Sequence, residues 1–291
     1  MDTTNRAAME SGAPARRRRR AAFALLALAA LPLAACQSAG PALDMTKVDL
    51  AQGSQENIGS LTAVIARSPR DPEAYNMRGS AYGRAGRYEE ALADFNQVIA
   101  LNPSSYQAYA NRALIYQRMN DDARALQDYN RALQINPDYD QALIGRGNLF
   151  RLASRPNEAY NDFQRAIQLD TTDPRAYLGR GLVYQTQRQH DVAIEDFAKA
   201  ISLAPRSPDG YNARGLSYLA RGDVDNAATD FGTAIKLDKS NAEGWFNQAV
   251  LLETQGDLVR ARRSYAEAVR LDPNYKLAKD GLERTRRAGT T

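Results

Sequence analysis

The sequence predicts an all-α protein built as an array of repeated helix pairs, and three observations carry that prediction. Positions recur every 34 residues: Ala91, Ala125, Ala159, Ala193, Ala227 and Ala261 form one series, and Phe95, Tyr129, Phe163, Phe197, Phe231 and Tyr265 form another. Spacing inside the period is helical, with Tyr75, Gly79 and Tyr82 at i, i+4 and i+7 and Ala91, Phe95, Val98 and Ile99 at i, i+4, i+7 and i+8. Punctuation falls where helices must end. Gly86, Gly222 and Gly256 separate the two runs, and Pro103, Pro137, Pro205 and Pro273 follow the second. A period of this length marks a stacked array, in which each unit buries its apolar face on its neighbours.

In chain order, residues 1–35 read as an export signal. Arg16 to Arg20 precede an apolar stretch from Ala21 to Ala35. That stretch has the length of a signal core and falls short of the roughly 20 residues a spanning helix needs. Met9 as the start would leave both features intact. Leu33-Ala34-Ala35-Cys36 resembles the lipobox of bacterial lipoproteins. That resemblance implies cleavage before Cys36, a diacylglyceryl group on its sulfur and a further acyl chain on the new amino terminus. Several chains are needed because each buried methylene contributes only about 0.8 kcal/mol and a single chain anchors marginally. Residues 36–53, the lipidated Cys and a Gly-, Pro- and Ser-containing stretch, read as a tether.

The signal also accounts for the charge balance. The chain has 38 Lys and Arg against 34 Asp and Glu. Residues 1–35 hold Arg6 and Arg16 to Arg20 against Asp2 and Glu10, which leaves 32 of each sign in the remainder. The basic excess therefore belongs to the signal, and no nucleic-acid partner is expected from it.

Residues 54–71 read as a capping half-repeat, with Asn57, Leu61, Val64, Ile65 and Pro69 matching the second half of a unit. Six units follow without insertion, at 72–105, 106–139, 140–173, 174–207, 208–241 and 242–275. Each carries most of three further series: Tyr75, Tyr109, Leu143, Tyr177, Tyr211, Trp245; Gly79, Ala113, Gly147, Gly181, Gly215, Ala249; and Tyr82, Tyr116, Phe150, Tyr184, Tyr218, Leu252. Asp71, Asp173 and Ser207 each precede a Pro, the pattern of an N-cap with Pro at the first helical position. Residues 276–291 read as a polar-faced capping helix, with Leu277 and Leu282, and a frayed tail. Over 204 of the 291 residues these units resemble the tetratricopeptide repeat (TPR). The resemblance implies a right-handed α-solenoid of antiparallel helix pairs with a concave inner surface.

One departure from that pattern is itself periodic. Arg78, Arg112, Arg146, Arg180 and Arg214 stand before the small residue, where the family more often has Leu, and Asp94, Asp128, Asp162, Asp196 and Asp230 precede the second-helix aromatic. In the last unit both change together, to Gln248 and Ser264. Pairing within the unit, 16 residues apart, leaves no orphan and predicts structural ion pairs. The alternative is an Arg ladder for a polyanion, which the Asp partners would neutralise.

Signatures of catalysis are missing. One Cys and one His, His190, cannot make a disulfide framework or a multi-His metal site. No GxxxxGK[ST] or GxSxG motif occurs. Sixteen of the 23 aromatics belong to the packing series, leaving little for base stacking. No cofactor, metal or enzymatic activity is expected. The family binds extended or helical segments on the inner faces of its first helices, so the resemblance implies a ligand groove. Carried over, its positions are Asn76, Ser80, Arg84, Asn111, Leu114, Arg118, Ile144, Asn148, Arg151, Leu178, Leu182, Asn212, Leu216, Leu219, Phe246 and Asn247. The chain as a whole resembles envelope lipoproteins with TPR arrays. Those of the NlpI type bring cell-wall enzymes and proteases together; secretin pilotins are the alternative. The expected partners are other envelope proteins, and Gln37 after the Cys favours the outer membrane under the enterobacterial sorting rule.

Overall fold

The computed structural model describes residues 53–288, all of whose regular structure is helical. The signal segment 1–35, Cys36, the tether up to residue 52 and the tail 289–291 lie outside the described residues. A single helix, α1 (Gln55–Arg67), is followed by six pairs. These are α2 (Pro72–Arg84) with α3 (Tyr88–Leu101), α4 (Tyr106–Arg118) with α5 (Asp122–Ile135), and α6 (Asp140–Leu152) with α7 (Pro156–Gln168). Then come α8 (Pro174–Thr186) with α9 (His190–Leu203), α10 (Pro208–Ala220) with α11 (Val224–Leu237), and α12 (Ala242–Thr254) with α13 (Leu258–Leu271). The last helix is α14 (Lys276–Ala288). None of the described helices is long and apolar enough to cross a membrane.

Each first helix packs on the second helix of its own pair and on that of the preceding pair, and it also touches the first helix of the next pair. The first helices therefore crowd one face, which becomes the inner surface of an α-solenoid. The aromatic of each second helix is the wedge between layers. Phe95, Tyr129, Phe163, Phe197, Phe231 and Tyr265 are all at most 3% exposed, and the Ala series beginning at Ala91 is wholly buried. Small residues on both sides admit the wedge. A Cβ on Gly181 or Gly215 would stand 2.6 Å from the ring of Phe197 or Phe231.

Local chemistry starts the helices. Ser54, Asp71, Ser105, Asp121, Asp173, Asp223, Asn241 and Asp257 accept backbone N–H groups in the first turn. Ser207 occupies an N-cap position without this bond; its hydroxyl donates to Asp209 at 3.3 Å instead. The turn inside every unit has one residue in the left-handed region: Gly86, Asn120, Ser154, Arg188, Gly222 and Gly256. The junction between units 3 and 4 is the exception among the unit ends. Thr171 stands where units 1, 2, 4 and 6 have Pro, Asp170 has φ 59°, and the Thr171 hydroxyl donates to Asp140 at 2.7 Å.

Both ends differ in detail from their sequence patterns. On α1, Ile58, Leu61 and Ile65 are buried while Val64 faces outward. On α14 the buried stripe is Ala278, Leu282 and Thr285, and Leu277 is 60% exposed. Gly281 lies on Tyr265 in the same stripe, so α14 covers the open face of the last pair.

Candidate binding groove

The five Arg–Asp sets are brought together within their units. In each, Nε and Nη2 donate to the two carboxylate oxygens at 2.6–2.8 Å, a bidentate fork. A third arm reaches back one layer. Nη1 of Arg78, Arg112, Arg146 and Arg180 donates to Thr62, Asn96, Asn130 and Gln164 of the preceding second helix. Arg214 has Ala198 at that place and lacks the arm. Aromatic rings flank the forks; Arg112 lies 5.6 and 5.9 Å from the ring centres of Tyr109 and Tyr116, and Arg146 lies 5.7 Å from that of Phe150. The hydrogen bond to Asp94 raises the pKa of Arg78, and equivalent bonds raise those of Arg112, Arg180 and Arg214. With each cation matched by a buried carboxylate, the ladder joins helices and layers and presents no unbalanced positive row. In the last unit the Ser264 hydroxyl donates to Gln248 at 3.1 Å.

Two cavities open on the first helices of the early units. One, of about 620 Å³, is lined by Ser80, Arg84, Asn111, Leu114 and Arg118 among others. The second, of about 320 Å³, spans units 2 to 4 as far as the start of unit 5 and is lined by Asn111, Leu114, Ile144, Asn148, Arg151, Leu178 and Leu182, together with Gln117, Arg175 and Asp209. Its floor exposes an arrangement that the inner-face mapping missed. Gly145 and Gly179 stand where a Cβ would collide with the rings of Tyr129 and Phe163, and all four line the cavity. The signal was present as a second pair of glycines 34 residues apart, one position away from an inner-face position. The Tyr129 hydroxyl donates to Gln117 at 2.7 Å, and burial pushes its pKa up.

The remaining groove positions behave differently. Asn76 accepts from Asn111 at 3.0 Å and is held within the array. Ile144 is only 3% exposed and forms a cavity wall from beneath. Asn212 and Asn247 are buried, not presented, and Gly244 of α12 lies against the Asn212 side chain. Asn212 Oδ1 and Asn247 Nδ2 are left without hydrogen-bond partners. Leu216 and Leu219 pack on the cluster around Phe231, and the Phe246 ring lies 5.9 and 5.0 Å from those of Tyr265 and Tyr275. Because these side chains pack against the following layer or the cap, the later half of the array offers less inner surface than the mapping implies. Among the described residues, no group of three His, Cys, Asp or Glu could hold a metal ion.

Family comparison agrees with this architecture. Tetratricopeptide repeat models match residues 76–140, 212–276 and 174–207, and a TPR repeat model matches 147–187. The chain belongs to the tetratricopeptide repeat family, whose members serve as protein-interaction scaffolds. A search of curated protein sequences returned no match. Among solved structures, the array is similar to a chain of the APC/C hetero-tetramer Cut9–Hcn1, with a TM-score of 0.76 and 16% identity. That alignment covers 83% of this chain and 48% of the other, so the array spans about half its length. PilF of Pseudomonas aeruginosa aligns with a TM-score of 0.64 and 22% identity over 75% of this chain and all of its own. PilW, described as a widely conserved type IV pilus biogenesis factor, aligns with a TM-score of 0.65 and 20% identity over 72% and 98%. At these identities the likeness is one of fold.

Proposed function

We propose that the protein is a non-catalytic, lipid-anchored scaffold of the bacterial cell envelope that holds segments of partner proteins in its concave groove. The observation that carries the binding role is the pair of inner-face cavities on units 1 to 4, lined by amide, guanidinium and aliphatic groups. Such a lining hydrogen-bonds a ligand backbone and buries its apolar side chains. The anchor rests on the Leu33–Cys36 tetrapeptide after a basic and apolar leader. Mature protein would begin at Cys36, with the array facing the periplasm from the outer membrane. A photo-crosslinking residue at Leu114 in living cells should trap a specific envelope protein that the same residue at Glu89, on the exposed part of α3, does not. Equal trapping at both positions counts against the groove.

A second reading is an assembly factor for a secretin or type IV pilus, in keeping with the fold shared with PilW. Deleting the gene separates the two: loss of secretin multimers and pili supports the second, altered levels of wall hydrolases the first. Cys36→Ala should release the protein from the membrane fraction. A variant that stays bound contradicts the anchor.

A further inference from the structure

We propose that the cavity spanning units 2 to 4 recognises a protein segment carrying an aliphatic side chain and, within one helical turn of it, a carboxylate. The inference rests on the groove being the partner-binding face and specifies what that face selects.

Arg151 supplies the first argument. The array's ladder arginines each hold an Asp in a fork, whereas the half-buried Arg151 forms no ion pair among the described residues. Its only acceptor is the neutral side-chain oxygen of Asn148, at 3.2 Å from Nε and 2.8 Å from Nη2. A guanidinium has five N–H donors, so most of its hydrogen-bonding capacity is unused. Desolvation lowers its pKa from the ordinary Arg value, and nothing nearby offsets that cost. An incoming carboxylate would supply the missing acceptors and the missing charge in one step.

The aliphatic half follows from the same cavity. Leu114, Ile144, Leu178 and Leu182 line it beside Arg151, and Leu114 is 39% exposed. At about 320 Å³ the space suits one or two side chains. Charge complementarity selects the acid. Asp209 is the one carboxylate among the lining residues; Arg175 is already held by Asp173, which leaves Arg151 as the lining cation without an ion pair.

The test uses the purified full chain and fluorescein-labelled 12-residue peptides of Ala, Ser and Gln. Each carries one Leu and one Glu placed one to four residues apart, with Gln in place of Glu as counterpart. At least one spacing should bind, with Glu favoured over Gln by about ten-fold, the scale of a charge-assisted hydrogen bond. Arg151→Gln should abolish that preference without lowering the melting temperature, since it removes an uncompensated charge. Arg151→Lys should keep part of it. Arg131→Gln, on α5 outside the cavity, should leave it unchanged. Equal binding of Glu and Gln peptides, or a preference that survives Arg151→Gln, overturns the inference. So does an absence of binding at every spacing. In any of these outcomes, continued crosslinking at Leu114 leaves the groove reading standing, and its loss removes both.

Discussion

At the scale of single residues, the turn inside each unit shows how one backbone requirement can be met by unlike side chains. All six turn positions have φ between 57° and 81°, but only Gly86, Gly222 and Gly256 are glycines. The left-handed conformation costs an L-residue about 1 kcal/mol, and Asn tolerates it best. Ser154→Gly and Arg188→Gly should each therefore stabilise the array by up to about 1 kcal/mol in urea titrations, and Asn120→Gly by less. The sequence showed the turn only where Gly stood, because Ser and Arg carry no signal of φ. The Arg–Asp sets were legible for the opposite reason: the two residue types vary together. Their third arm was not, since Thr62, Asn96, Asn130 and Gln164 share only an oxygen acceptor. Asp162→Ala would leave Arg146 unpaired beside a site only 8% exposed and should cost about 3 kcal/mol. Exchanging the two charges at Arg146 and Asp162 should recover part of this in chemical denaturation, but not all, because the bond from Nη1 to Asn130 goes with the arginine. Full additivity of the two reversals would argue against the pairing.

At the scale of elements, the same wedge produces different surfaces according to what faces it. Phe163 meets Gly147 of its own unit and Gly179 of the next, so its ring reaches the groove cavity. Tyr265 meets Gly281 of α14, and its hydroxyl donates to Glu253 at 2.6 Å. Glu253 is also clasped by Arg284, through Nε at 2.6 Å and Nη2 at 2.8 Å, which ties α14 to α12. The hydrogen bonds from Arg284, and secondarily from Tyr265, lower the Glu253 pKa from 4.5. A depressed folded-state value means this contribution is complete above about pH 4.5 and fades as pH falls through the folded pKa. Melting temperatures between pH 6 and 3 should fall less steeply for Glu253→Gln than for the parent chain; identical slopes would show that the clasp adds nothing. Helix boundaries and pairing were readable from periodicity and punctuation. Burial along the later first helices was not: the family's inner face fixes a direction, while the neighbouring layers decide that Asn212 and Asn247 lie within the packing.

At the scale of the whole molecule, a linear array has no single core whose loss unfolds everything, and its ends carry the exposed apolar faces. The cap α14 is the case in which this can be tested. Tyr265 and Ala268 are fully buried, and Ala278, Gly281, Leu282 and Thr285 lie over that face. Removing residues 276–291 would return much of the Tyr265 ring to water, at about 2 kcal/mol for a large side chain. It would also delete the Arg284 clasp and the bond from Arg262 to the Thr285 carbonyl. In a nearest-neighbour array that loss stays local. Hydrogen exchange should accelerate most in α12 and α13, less in α10 and α11, and hardly at all in α2 to α5. The junction at Asp170 and Thr171 sets where the effect should end, because there the chain passes through a left-handed residue and is held by a side-chain bond from Thr171 to Asp140, in place of the Pro that follows units 1, 2, 4 and 6. Uniform acceleration from α1 to α13 would mean that the array folds as one cooperative block. In that case the groove cavities on units 1 to 4 would depend on the cap at the far end; under local coupling, the truncated chain keeps them.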